Sequence, residues 1–191
     1  MTYRRNQGFN LGAVEFLIIA NLIFFIATSI RPSIIYLFGF QPANFLNAPW
    51  TTVTSMFLHA SIGHILGNMI TLYYFGNYLT ALVGERNFFI VYFLGGIVGC
   101  IFCIFLLPPF GPVVGASGAI FAVGGALAVM RPRLSVYVFP IPAPVPLWVA
   151  VVGGFLIMTV LFLSSIAWQA HLGGLAIGAL LGYIYRRREY R

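Results

Sequence analysis

Six long apolar runs occupy most of this 191-residue chain, which is 61% hydrophobic and only 7% charged. The hydrocarbon core of a bilayer requires about 20 consecutive apolar residues, whereas a soluble domain carries roughly a quarter charged residues. The pattern therefore predicts an all-α integral membrane protein, with six transmembrane helices that form a single domain over residues 1–191. The predicted spans lie near residues 11–30, 61–83, 88–107, 113–130, 146–163 and 167–185.

The arginines predict how these spans are oriented. All ten basic residues are arginines, and nine of them fall at the N-terminus, between spans 2 and 3, between spans 4 and 5, or after span 6. Alternate connections share one side of the membrane, and basic residues favour the cytoplasmic side. We therefore expect a multi-pass protein of the cell membrane with both termini in the cytoplasm. Because the arginines form no solvated basic face, nucleic acid is not an expected partner.

Two connections have an unusual composition. Residues 31–60 are almost uncharged and rich in aromatic side chains, which favour the membrane interface, so we predict a partly membrane-embedded loop between helices 1 and 2. Packing of this loop on neighbouring helices would explain the same composition, and both can hold.

The second connection, residues 131–146, contains many prolines and is expected to be a stiff, extended connector. Its prolines are Pro140, Pro142, Pro144 and Pro146, and the apolar residues of the first connection are Tyr36, Phe38, Phe40, Phe45, Leu46 and Trp50.

Cysteine usage indicates neither a cofactor nor a metal ion. Cys100 and Cys103 form a C-x-x-C pair, but the pair lies inside an apolar run and lacks the further ligands that zinc needs. We interpret both cysteines as packing residues, and we expect no metal and no cofactor.

Polar side chains inside the apolar runs are costly in a bilayer and are therefore candidates for function. The notable ones are His64 and Asn68 in span 2, Ser117 in span 4 and His171 in span 6. All four lie on even-numbered spans, in the part nearer the outer side. The sequence therefore predicts that they converge at one depth, in a site open to the outer side.

Residue counting places the serine and one histidine at the same level. Ser117 precedes Arg131 by 14 residues, and His171 precedes Arg186 by 15 residues. At about 1.5 Å of rise per residue, both lie roughly 21–22 Å above the cytoplasmic boundary. In a hydrocarbon core about 30 Å thick, that leaves both roughly 8 Å below the outer face.

Small residues predict that spans 4 and 6 pack closely. Gly174, Gly178 and Gly182 recur every fourth residue along span 6, a spacing that lets two helix backbones approach. His171 lies about one turn before Gly174 on the same face. Span 4 is equally rich in small residues, namely Gly115, Ala116, Gly118, Ala122, Gly125 and Ala126.

Serine and histidine side by side have a specific chemical use. A serine hydroxyl becomes a strong nucleophile when a base within hydrogen-bond reach takes its proton, and histidine suits that role near neutral pH. The chain contains no aspartate, and its three glutamates fall toward the cytoplasmic side, so a dyad of Ser117 and His171 remains rather than a triad. His64 and Asn68 share one helical face and carry N–H donors, and the backbone N–H of Ser117 adds a third donor for an oxyanion.

Each of these residues also has a structural interpretation. A lone serine or histidine in a membrane helix often serves as an interhelical hydrogen-bonding group, and His59 is better explained as a residue that braces the loop. Two other functions therefore stay open: a non-catalytic binder or chaperone of membrane proteins, and a small transporter or channel. The transporter would need polar residues in the cytoplasmic half of the spans, which is apolar.

Three motifs in this sequence resemble those of the rhomboid family of intramembrane serine proteases. The resemblance covers about residues 11–185, in the family's order and spacing. The motifs are His59-x4-His64-x3-Asn68, Gly115-Ala116-Ser117-Gly118 and Ala170-His171-Leu172-Gly173-Gly174 with Gly178.

The resemblance implies a six-helix rhomboid-like bundle and an intramembrane serine endopeptidase. It implies Ser117 and His171 as catalytic dyad, with His64, Asn68 and the Ser117 amide as oxyanion hole. It also implies a bilayer-embedded first loop and the lateral entry of transmembrane protein substrates. Two positions depart from the family: Thr51 stands where an arginine often braces the loop, and Phe121 stands where a tyrosine often stacks on the histidine. We expect the Phe121 ring to stack on His171 without the hydroxyl.

Overall fold

A computed structural model describes residues 11–106, 111–138, 140–162 and 166–189. Helices account for most of this part of the chain, in agreement with the predicted all-α class. In chain order they are α1 (Ala13–Ile30), α2 (Ile34–Phe38), α3 (Thr51–Thr54), α4 (Ile62–Thr71), α5 (Asn77–Val83), α6 (Glu85–Phe105), α7 (Ser117–Met130), α8 (Leu147–Phe162) and α9 (Trp168–Glu189). Two short strands are β1 (Ser135–Val136) and β2 (Val145–Pro146).

Every predicted apolar run contains helix, although the boundaries differ. The second run consists of α4, a π-helical turn over Leu72–Gly76 and α5 in succession. The fourth run was predicted from residue 113, but α7 begins at Ser117 because the chain is extended before it. Among the described residues, α1 and α6 are long and apolar enough to cross a membrane, and α7 and α8 are shorter apolar helices. Six membrane spans therefore stay a prediction.

Helix α7 lies at the centre of the bundle, in contact with α6, α8 and α9. Its contact with α9 is made backbone to backbone, as the small residues predict. A Cβ added at Gly178 would collide with the carbonyl oxygen of Ala122, and one added at Gly174 would collide with that of Gly118. Only glycine allows this approach, so the first turns of the two helices are held next to each other.

The first loop packs on the bundle along one edge and leaves the other edge uncovered. Phe40 is fully buried, and its backbone forms two hydrogen bonds with that of Val113, at 3.0 and 2.7 Å. Leu46, in contrast, is 90% exposed, and Trp50 is exposed as well. The loop therefore does pack on neighbouring parts of the bundle, and its uncovered apolar edge is compatible with the predicted position in the membrane interface.

The proline-rich connection is a hairpin, so the prediction of an extended connector is wrong. Strand β1 pairs antiparallel with β2, with Ser135 opposite Pro146 and Val136 opposite Val145. The Leu147 amide then donates to the Leu134 carbonyl oxygen, at 2.7 Å. A proline can lie in such a strand because the missing N–H faces away from the partner in a two-stranded ribbon.

Candidate active site

Ser117 and His171 form a hydrogen bond between α7 and α9. The distance from Nε2 of His171 to Oγ of Ser117 is 2.7 Å. Ser117 is the first residue of α7, and His171, which is buried, lies in the first turn of α9. Close packing sets this contact, because a Cβ added at Gly118 would lie 3.2 Å from the carbonyl oxygen of Ala170. The structure therefore brings together two side chains that are 54 residues apart in sequence.

The turn before Ser117 depends on Gly115. Its φ angle of +123° is one that residues with a Cβ rarely adopt. A Cβ at this position would also lie 2.7 Å from Nε2 of His64 and 3.6 Å from Oγ of Ser117. The His64 imidazole therefore covers Gly115 directly, and the serine hydroxyl lies near the same point. The amide of Gly115 donates to the carbonyl oxygen of Ser55 at 2.9 Å, which fixes the turn to the first loop.

Asn68 lies one turn after His64 on α4 and is buried. Its side-chain Nδ2 donates to the carbonyl oxygen of His64 at 2.9 Å. An amide nitrogen carries two hydrogens, so this bond leaves one N–H for another acceptor. At the start of α4, the Ser61 hydroxyl oxygen accepts from the His64 amide at 3.2 Å, an N-cap that holds the first turn on which His64 lies.

His59 packs against His64 rather than against Ser117. The two imidazole rings meet edge to face, with centroids 4.9 Å apart. His59 is almost completely buried, and burial, with a smaller contribution from His64, lowers the pKa of His59 to about 3. A neutral His59 can therefore support the His64 ring without a charge of its own.

The ring of Phe121 lies against His171, as the departure from the family pattern led us to expect. The ring centroids are 4.7 Å apart and the planes are tilted by 33°. On the other side, Phe155 of α8 meets Phe121 edge to face, with centroids 6.0 Å apart. Nδ1 of His171 is buried without a hydrogen-bond partner in the described part of the chain. Aromatic packing and the bond to Ser117 therefore orient this imidazole.

Thr51, which stands where the family often has an arginine, is buried and bonded locally. Its hydroxyl donates to the Ala48 carbonyl oxygen at 2.6 Å. The cysteines are free and buried, and the Cys100 thiol approaches the Thr52 carbonyl oxygen at 3.8 Å. No group of three or more histidine, cysteine or acidic side chains that could hold a metal ion occurs within the described ranges.

Sequence reasoning missed the backbone contacts that hold this site. Neither the Ser55 carbonyl nor the pairing of Phe40 with Val113 leaves a signal in the sequence, because any residue supplies the same backbone groups. Phe155 falls within the predicted span at residues 146–163, but its contact with Phe121 leaves no signal in the sequence. An aromatic residue in mid-span is too common in an apolar helix to indicate such a contact.

These features define an apolar helical protein in which a half-buried serine and a buried histidine form a pair beside a helix that carries a histidine and an asparagine. Comparison with known proteins agrees, since a family profile described as the Rhomboid domain matches residues 46–188. The chain therefore belongs to the rhomboid family of intramembrane serine proteases.

Individual relatives support the same assignment. Rhomboid protein 1, mitochondrial, of Saccharomyces cerevisiae is 31% identical over 159 residues, which are 73% of this chain and 43% of that protein. RHOMBOID-like protein 12, mitochondrial, of Arabidopsis thaliana is 31% identical over 160 residues, 74% of this chain and 48% of the relative. Rhomboid protease GluP of Bacillus subtilis is 37% identical over 78 residues, 41% of this chain and 15% of that protein. The chain spans less than half the length of the two mitochondrial relatives.

Proposed function

We propose that this protein is an intramembrane serine endopeptidase that cleaves transmembrane segments of membrane proteins near the outer face of the cell membrane. One observation carries the proposal: the 2.7 Å contact between Nε2 of His171 and Oγ of Ser117 in an apolar helix bundle. This is the distance at which a histidine can take the proton of a serine hydroxyl. In the proposed topology, six spans form a single domain with both termini in the cytoplasm.

The proposed reaction begins with the transfer of the Ser117 proton to Nε2 of His171. Oγ then forms a bond to the carbonyl carbon of the scissile peptide, and the carbonyl oxygen becomes an oxyanion. His171 next gives its proton to the departing amine as the C–N bond breaks, which leaves an acyl ester on Ser117. A water molecule, deprotonated by His171, attacks this ester, and His171 returns the proton to Oγ as the C–O bond breaks and the second product leaves.

The tautomer of His171 is part of this proposal. For Nε2 to accept a proton, the neutral ring must carry its hydrogen on Nδ1. No carboxylate holds that tautomer in the described part of the chain, because Nδ1 of His171 has no hydrogen-bond partner there. A Ser117 hydroxyl that donates to Nε2 favours it, and the Phe121 ring, 4.7 Å away between centroids, keeps the imidazole facing Ser117.

The oxyanion would be stabilised by His64, Asn68 and the backbone amide of Ser117. The His64 imidazole lies directly over Gly115, and the serine hydroxyl lies near the same point. Asn68 lies one turn away on the same helix and has one side-chain N–H beyond its bond to the His64 carbonyl. Ser117 is the first residue of α7, so its amide belongs to the first turn, whose N–H groups have no partner within the helix. Such preorganised donors are the largest single contribution in many acyl-transfer enzymes.

The substrate class follows from where the site lies. The proposed site opens to the outer side below the membrane surface, so the substrate is a transmembrane segment that enters laterally from the lipid bilayer. An intact helix hides its own carbonyl groups in hydrogen bonds, so cleavage requires local unwinding. We therefore expect cleavage next to small or helix-weakening residues.

Purified protein, incubated in detergent with a single-pass substrate, tests this proposal against the Ser117→Ala variant. We expect cleavage by the wild type and none by the variant. Labelling with a serine-reactive fluorophosphonate provides a second readout, since the reagent forms a bond to Oγ only when the hydroxyl is activated. Equal cleavage by both proteins would overturn the proposal. Absence of labelling in a folded wild-type sample would favour a non-catalytic binder of membrane proteins.

A further inference from the structure

The hydroxyl of Thr54 forms an unusual contact in the first loop. It donates to the carbonyl oxygen of Phe38 at 2.7 Å, across 16 residues of sequence. The neighbouring threonines bond locally, Thr51 to the Ala48 carbonyl at 2.6 Å and Thr52 to the Pro49 carbonyl at 2.8 Å. The Thr54 hydroxyl also lies 3.5 Å from the Trp50 carbonyl oxygen of its own turn. Its shorter bond, however, joins the end of α3 to the end of α2, whereas its neighbours bond only within their own turn.

Both ends of this hydrogen bond lie next to the contacts that hold the chain before Ser117. Two residues after Phe38, Phe40 pairs with Val113 through two backbone hydrogen bonds. One residue after Thr54, the Ser55 carbonyl oxygen accepts from the Gly115 amide at 2.9 Å. The segment Val113–Gly115 is thus held at two points, and the Thr54–Phe38 hydrogen bond joins the loop residues next to those points.

Side-chain packing also connects the loop to this segment. A Cβ added at Gly39 would lie 2.9 Å from Cβ of Pro112, so the loop and the segment touch directly. Residues 32–60 contain no charged side chain that could brace the loop by an ion pair. Beside packing and backbone hydrogen bonds, the Thr54 hydroxyl therefore supplies a side-chain link between two parts of this loop.

We propose that Thr54 is a positioning residue for Ser117. Its bond to Phe38 keeps the two anchors of Val113–Gly115 in register, and this sets the turn at Gly115 from which α7 begins. Without the hydroxyl, the Phe40–Val113 and Ser55–Gly115 contacts are no longer linked through the Thr54 side chain. The position of Ser117 relative to His171 and His64 then becomes more variable. The effect on catalysis rests on the proposed function, whereas the effect on the segment does not.

Amide hydrogen exchange of the full chain in detergent tests the placement without reference to activity. Thr54→Val keeps the shape of the side chain and removes the donor. We expect exchange at the amides of Val113 and Gly115 to become roughly threefold to tenfold faster, the factor expected from the loss of one hydrogen bond. Thr54→Ser retains the donor and should exchange as the wild type does. Thr52→Val, which removes a local bond from the same short helix, should leave these two amides unchanged.

The second readout is catalytic. We expect Thr54→Val to lower the rate of fluorophosphonate labelling of Ser117 and kcat by a similar factor, with KM for a transmembrane substrate unchanged, and Thr54→Ser to restore both. Thr54→Ala repeats the test if the valine variant does not fold. The proposal is overturned if the amides of Val113 and Gly115 exchange at the wild-type rate in the variants that lack the donor. It is also overturned if Thr52→Val accelerates their exchange equally. If the wild type is neither labelled nor active, the proposed function fails, while the exchange comparison still decides the role of Thr54.

Discussion

Arg186 on α9 donates from Nη1 to the carbonyl oxygen of Val129 near the end of α7, at 3.2 Å. This contact lies at the end of the helix pair opposite to Ser117 and His171. Helices α7 and α9 are therefore level at both ends, which is the relationship that residue counting from the arginines predicts. A displacement of one helix along the other would break the contact at one end and the serine–histidine bond at the other.

The first prediction concerns this helix pair. Gly178→Ala places a methyl group against the Ala122 carbonyl oxygen, so the helices must separate. We expect the free energy of unfolding to fall by about 1–3 kcal/mol, the usual cost of overpacking, with slower fluorophosphonate labelling of Ser117. Thermal denaturation in detergent measures the first effect. Gly154→Ala on α8 is the matched control, because nothing lies within 4 Å of its added Cβ, and an equal loss in both variants would contradict the close-packing argument.

Gly115 provides the second prediction. In Gly115→Ala, the new methyl group meets the His64 imidazole and the backbone is strained at a φ of +123°. Strain of this kind costs about 1–3 kcal/mol, so we expect Ser117 labelling to slow by roughly tenfold or more in protein that is still folded. Labelling kinetics with circular dichroism as a folding control measure this. Gly111→Ala, where the added Cβ has open space, should label normally. Normal labelling of Gly115→Ala would show that the turn tolerates a side chain.

The role of Asn68 as an oxyanion donor can be separated from a structural role. We expect Asn68→Ala to lower kcat by roughly 10²- to 10³-fold with little change in KM, the usual cost of removing one oxyanion donor. Asn77→Ala is the control, because the Asn77 side chain makes the same bond to the carbonyl four residues earlier, at 2.9 Å. Steady-state kinetics on a transmembrane substrate measure both variants. A similar loss in the two would mean that Asn68 acts through its helix alone.

The last prediction concerns the aromatic contact with His171. Phe121→Leu removes the ring that lies 4.7 Å from the imidazole, and Phe121→Tyr keeps it. Aromatic pairs contribute about 0.5–1.5 kcal/mol, so we expect kcat to fall roughly 2- to 12-fold in the leucine variant and to change little in the tyrosine variant. Phe162→Leu, at an exposed ring on α8, controls for the loss of an aromatic residue. If leucine at position 121 supports full activity, packing by an aromatic ring is not what orients His171.

Much of the fold could be predicted because apolar length and small-residue spacing are local properties of the chain. The runs that became α1, α6 and α8 were located to within a few residues. Predicted helix boundaries differ from the structure where a turn interrupts an apolar run, as it does in the residues before Ser117. The hairpin of β1 and β2 was missed because proline content reports on the local φ angle and says nothing about whether the chain turns back.

The sequence by itself determined which residues carry the candidate chemistry and which helices can approach each other. Ser117, His171, His64 and Asn68 are recognisable because polar groups are rare and costly in apolar runs, and Gly174 and Gly178 because their spacing is regular. Only the tertiary structure decided that Ser117 lies 2.7 Å from His171 and that the His64 ring covers Gly115. It also decided that the first loop binds the turn at Gly115 through a backbone hydrogen bond. These depend on distances between segments far apart in the chain, which packing sets and local composition does not encode.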